Sequence, residues 1–95
     1  MINRYKSALI TGAASGIGYS ILKKLSKHKL KIYALDKNKT KLKKICNETG
    51  AYPLNLDITD TDLLYLKLSK LNIDVLVSNA GTVSYTHLTL PTTTI

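Results

Sequence analysis

At 95 residues, 44% of them apolar, the chain has the length of one small domain and too much apolar character for a disordered one. Ten of the lysines behind its net charge of +8 lie between Lys23 and Lys44, mostly on the polar sides of two predicted helices, which reads as a solvated face and argues against nucleic acid as a partner. The single cysteine, Cys46, excludes a disulfide framework, the polar first six residues make no signal peptide, and no apolar run approaches the ~20 residues that span a bilayer, so a cytoplasmic protein without a membrane is expected.

The first predicted strand covers residues 7–11 and is followed by Gly12, Gly16 and Gly18. From Ile17 the apolar positions Ile17, Ile21, Leu22 and Leu25 recur at helical spacing, which predicts a helix to about Lys27. Residues 30–35 form a second strand, closed by Asp36. Residues 39–48 form a helix with Leu42 and Ile45 inward and Gly50 at its C-terminal cap. Residues 52–56 make a weaker third strand, and Pro53 suits a sheet edge because proline has no amide to give the ladder. Thr59 or Asp60 can cap a third helix carrying Leu63, Leu64, Leu66, Leu68 and Leu71. Residues 73–77 are nearly all apolar, as a central parallel strand should be.

This β-α-β-α-β-α-β order predicts an α/β fold, a Rossmann-type doubly wound parallel sheet truncated after the fourth strand, with strand order 3-2-1-4. Ligands in such sheets bind at the carboxyl ends of the strands, where the order reverses. Four segments end there: the glycine loop, Asp36, Asp57 with Ile58, and Ser78-Asn79-Ala80-Gly81.

The loop Thr11-Gly12-Ala13-Ala14-Ser15-Gly16-Ile17-Gly18 opens a helix whose exposed amides around Ser15 to Gly18 suit a dinucleotide pyrophosphate. An ordinary glycine-rich turn is the plainer alternative, while the absence of Gly-Lys-Ser/Thr excludes a triphosphatase phosphate loop. Asp36, eighteen residues beyond Gly18, can accept both adenosine ribose hydroxyls and would repel a 2′-phosphate. NAD is therefore favoured, with NADP left open by Lys37 and Lys39.

With these motifs in this order, residues 7–81 resemble the short-chain dehydrogenases/reductases, whose loop reads T-G-x-x-x-G-[hydrophobic]-G. The resemblance implies that Asp57 and the backbone of Ile58 meet the adenine, and that Asn79, Ala80 and Gly81, the tail of an N-N-A-G signature with Ser78 in its first place, border the cofactor ribose and steady the sheet. It implies an oxidoreductase passing hydride between NAD(P) and an alcohol or ketone substrate, homo-oligomeric when complete. The alternative is a dinucleotide-binding or redox-sensing module without turnover. The family's catalytic serine and Tyr-x-x-x-Lys pair lie beyond the fourth strand, so the chain is expected to be the cofactor-binding half, inactive alone and with no catalytic residue. Tyr19 and Lys23 match the spacing formally, but they sit on the first helix, away from any nicotinamide.

Residues 83–95 do not continue the pattern. The run from Val83 to Thr92 resembles, residue for residue, the translation of a transposase adapter used in sequencing libraries. Residues 1–82 are accordingly expected to be the Rossmann part and 83–95 a non-native tail, in which Tyr85 and His87 have no role. The fourth strand is then expected to present an open apolar edge and the chain to be aggregation-prone.

Overall fold

A computed structural model of the chain describes residues 6–79 and one further two-residue strand. The predicted alternation is present: β1 (Ser7–Thr11), α1 (Gly16–Leu25), β2 (Lys31–Asp36), α2 (Lys39–Thr49), β3 (Tyr52–Asn55), α3 (Thr61–Leu68) and β4 (Val75–Val77), with β5 (Thr93–Thr94) after it. Every pairing is parallel, and the order is β3-β2-β1-β4-β5. The four expected strands thus stand in the expected order, with Pro53 on an edge strand.

β1 is buried along its whole length because helices cover both faces of the sheet. One face presents the smaller side chains Ala8, Ile10, Ala34, Val75 and Val77, and against it close Leu22 of α1 and Leu42, Ile45 and Cys46 of α2. The other presents Leu9, Tyr33, Leu35 and Leu76 to Leu64 and Leu68 of α3. Each fully buried leucine contributes about 2 kcal/mol of apolar transfer. Chain direction reverses across the β1–β4 boundary: α1 and α2 carry the chain outward to β3, and α3 returns it to the far side of β1. The crevice at the carboxyl ends of β1 and β4 is therefore the switch point.

Several boundaries move for local reasons. α1 ends at Leu25 and α2 runs on to Thr49, where Gly50 adopts the left-handed conformation, φ 80°, and donates its amide to Cys46. β4 starts at Val75; just before it the Asp74 carboxylate takes the amides of Lys6 and Ser7, at 2.7 and 3.1 Å, and the Asp74 amide donates to the Ser7 carbonyl at 3.2 Å. Asp60, not Thr59, caps α3, accepting the Leu63 amide. Ile17 does not join the buried stripe of α1: Gly18 and Leu22 face the sheet, Ile17 points about 100° away from Gly18, and it is 71% exposed. The outer edge of β4 is not fully open either, since Thr93 and Thr94 pair with Val75 and Leu76. An apolar strand edge favours any β-prone partner within reach, and threonine is one. Among the described residues, no helix is long and apolar enough to cross a membrane.

Candidate functional site

Where β1 gives way to α1, Gly12 turns the chain with φ 65°, a left-handed conformation that disfavours any residue with a Cβ. Its carbonyl then gathers three donors: the Ser15 amide at 3.1 Å, Ser15 Oγ at 2.7 Å and Asn79 Nδ2 at 3.2 Å. The Asn79 amide group also donates to Ser15 Oγ at 2.9 Å, and its backbone N–H donates to Thr11 Oγ1 at 3.0 Å. The end of β4 is thereby fastened to the loop that follows β1. Gly18 closes the arrangement from above, since a Cβ there would lie 2.2 Å from the Gly12 oxygen.

Gly16 differs from its neighbours. It lacks a positive φ, and among the described residues a Cβ added to it would meet nothing within 4 Å. The packing of the described residues does not require glycine at that position. Around it the first-turn amides of Gly16, Ile17 and Gly18 have no acceptor among the described residues, for Ser15 turns its hydroxyl back to Gly12 and α1 has no acid in its first turn. A helix start with free donors and no resident carboxylate attracts an anion.

A cleft of about 370 Å³ opens beside this helix start, within the range of small-molecule sites. Of the residues singled out from the sequence, Gly12, Ser15, Asp36, Asp57, Ile58 and Asn79 line it. Gly16, Ile17 and Gly18 stand at the helix start rather than in the lining, and Ala80 and Gly81 lie outside the described residues. Asp36 bridges two elements: Oδ2 accepts the Ala14 amide at 3.0 Å and Oδ1 the Asn38 amide at 2.9 Å. A carboxylate has about four acceptor sites, so capacity remains at both oxygens. Asp57 Oδ1 accepts the amide and hydroxyl of Thr59, at 2.9 and 2.7 Å. Those bonds, the backbone one foremost, hold its carboxyl below the usual carboxylate range, with the Lys37 charge adding a smaller push. Lys37 and Thr59 also line the cleft. The Asp-x-Thr spacing is the signal for the second, because an aspartate carboxylate accepts the amide two residues on in an Asx-type turn and a hydroxyl at that position adds a second donor.

The formal Tyr-x-x-x-Lys pair has a different employment. Tyr19 donates its hydroxyl to Glu48 at 2.8 Å, linking α1 to α2, and Lys23 lies over its ring at 4.9 Å. The hydrogen bond to Glu48 pushes the phenol pKa up, opposite to what a catalytic phenol requires.

Residues 6–93 match the family described as short chain dehydrogenase. The chain belongs to that family. An uncharacterised short-chain type dehydrogenase/reductase of Sinorhizobium fredii is 40% identical over 80 residues, which are 84% of this chain and 32% of that protein. A short-chain dehydrogenase/reductase family oxidoreductase from Burkholderia thailandensis superposes with a TM-score of 0.73 at 34% identity, over 84% of this chain and 33% of the other. The crystal structure of BdcA in complex with NADPH gives 0.74 at 30% identity, over 81% and 32%. This short-chain dehydrogenase chain thus spans about a third of the length of the relatives it matches. The family match crosses residue 82, the boundary expected from the sequence.

Proposed function

We propose that the cleft binds a nicotinamide dinucleotide, and that the chain is the cofactor-binding part of a cytoplasmic NAD(P)-dependent oxidoreductase acting on an alcohol or ketone, homo-oligomeric when complete. The observation that carries this reading is Gly16. Among the described residues neither its φ nor its surroundings call for glycine, and the bare backbone there leaves room for a ligand that approaches it closely. The free amides beside it suit a pyrophosphate, and the cleft next to them suits an adenosine.

In this reading the amides of Gly16, Ile17 and Gly18 receive the phosphate charge. The spare acceptor capacity of Asp36 takes the ribose hydroxyls, favouring NAD over NADP, while Lys37 beside it is the group that would tolerate a 2′-phosphate. Asp57 and Ile58 border the adenine, Asn79 keeps the loop closed, and Ala80 and Gly81 continue towards the ribose. Bound there, the nicotinamide supplies the hydride donor or acceptor. BdcA, which has been crystallised with NADPH, supports the cofactor class. The catalytic serine and Tyr-x-x-x-Lys belong to sequence beyond β4, and residues 83–95 are a non-native tail. Genomic DNA clear of any adapter that encoded this tail would overturn the last point.

Gly16→Ala tests the reading in the 95-residue chain, with NAD and NADP titrated by calorimetry beside a thermal melt. Gly16 is the first residue of α1, where its φ suits alanine and a Cβ meets none of the described residues, so the melt should hold or rise while NAD affinity falls at least about tenfold. A Gly16→Ala chain that binds NAD like the parent, or a parent that binds neither dinucleotide, overturns the proposal. Asp36→Ala should weaken NAD more than NADP, and equal losses would remove the ribose assignment.

A further inference from the structure

Asn55, the last residue of β3, stands opposite Asp36 in the β2–β3 register and lies outside the cleft lining. Its side-chain amide donates two hydrogen bonds across the carboxyl edge of the sheet, to the Asp36 carbonyl at 3.0 Å and to the Lys37 carbonyl at 3.1 Å. The same two residues carry the opposed charges that line the cleft, a carboxylate and an ammonium. The turn is therefore held from two sides: Asn55 grips its carbonyls, and the Asp36 carboxylate grips the amides of Ala14 and Asn38. The two sets of bonds together restrain the 36–37 peptide that joins the two charged residues.

We infer that Asn55 is a positioning residue for dinucleotide choice: by fixing the Asp36 and Lys37 carbonyls it keeps the Asp36 carboxylate, and not the Lys37 ammonium, directed at the 2′ position of the adenosine ribose. This rests on the dinucleotide reading of the cleft. The chemistry suits an asparagine, which supplies two N–H donors from one atom to two neighbouring carbonyls. Aspartate is nearly isosteric but has no donor when ionised, and it would set an anion against two carbonyl oxygens. Loss of the two hydrogen bonds shifts the balance between turn conformations by roughly tenfold.

The test compares Asn55→Ala, Asn55→Asp and Asn55→Gln with the parent chain, by calorimetric titration with NAD and NADP and by amide hydrogen exchange without ligand. Asn55→Asp should lower the ratio of NAD to NADP affinity by about five- to tenfold, Asn55→Ala by less, and Asn55→Gln, which keeps the donors on a longer arm, least of all. In the ligand-free chain, Asn55→Ala and Asn55→Asp should speed exchange at the amides of Ala14 and Asn38, which Asp36 holds. Equal losses for the two dinucleotides, or unchanged exchange at those amides, would make Asn55 a merely structural residue and overturn the inference while the dinucleotide reading stood. A parent that bound neither dinucleotide would overturn both. Since position 55 is exposed, Asn55→Ala carries the comparison should Asn55→Asp fail to fold.

Discussion

Asp57 owes its acidity mainly to one neighbour. Thr59 gives it both an amide and a hydroxyl, and the carboxyl titrates below the unperturbed aspartate value of about 3.9. A carboxyl with a depressed folded pKa adds stability that is present above the unfolded value and is lost as pH falls through the folded one, so this contribution is intact at neutral pH and disappears in acid. Thr59→Val keeps the amide and removes the hydroxyl, so the Asp57 midpoint followed by NMR should move part of the way back towards 3.9; an unmoved midpoint would contradict the account. The turn at Gly12, the close approach at Gly18 and the acid Asp36 at the end of β2 were legible in the sequence because backbone sterics and charge act through residue type alone. Ile17 was misread as part of the buried stripe for a geometric reason: it is one residue, about 100° of helix, away from Gly18, and a glycine with no side chain hides the true buried line from a hydropathy pattern.

At the scale of elements, the helices are set by their ends. Gly50 at φ 80° closes α2, and Asp60 caps α3. Gly50→Ala would hold a Cβ in the left-handed region and should cost about 1 kcal/mol in a denaturant melt, although open space surrounds the site. Asp60→Ala should cost a similar amount, about 1 kcal/mol, and a loss-free variant of either would show that the cap is not what ends or starts the helix. In α3 leucines at successive positions leave no single apolar stripe in the sequence. Packing on β1, β2 and β4 selects Leu64 and Leu68, four residues apart, and leaves Leu63 and Leu66 37% and 52% exposed.

Across the molecule, Leu63, Tyr65 and Leu66 put apolar surface on the outside of α3. Exposed apolar side chains close together drive association. Leu66→Lys keeps good helix propensity and should reduce self-association measured by light scattering, with a stability change within about 0.5 kcal/mol; undiminished association would place the sticky surface elsewhere. The edge of β4 is a lesser liability than the sequence implied, because β5 pairs with two of its three residues. Right-handed parallel crossovers admit sheet orders 3-2-1-4 and 2-1-3-4, and the structure shows the first; the alternation of strands and helices itself was determined by the sequence alone. So were the glycine turn and the acid after the second strand, whose demands are local. Only the tertiary structure decided that Asn79 closes the glycine loop from 67 residues away and that Asn55 grips the turn carrying Asp36. These depend on where side-chain donors point once distant strands lie side by side, and periodicity along a chain carries no record of that direction.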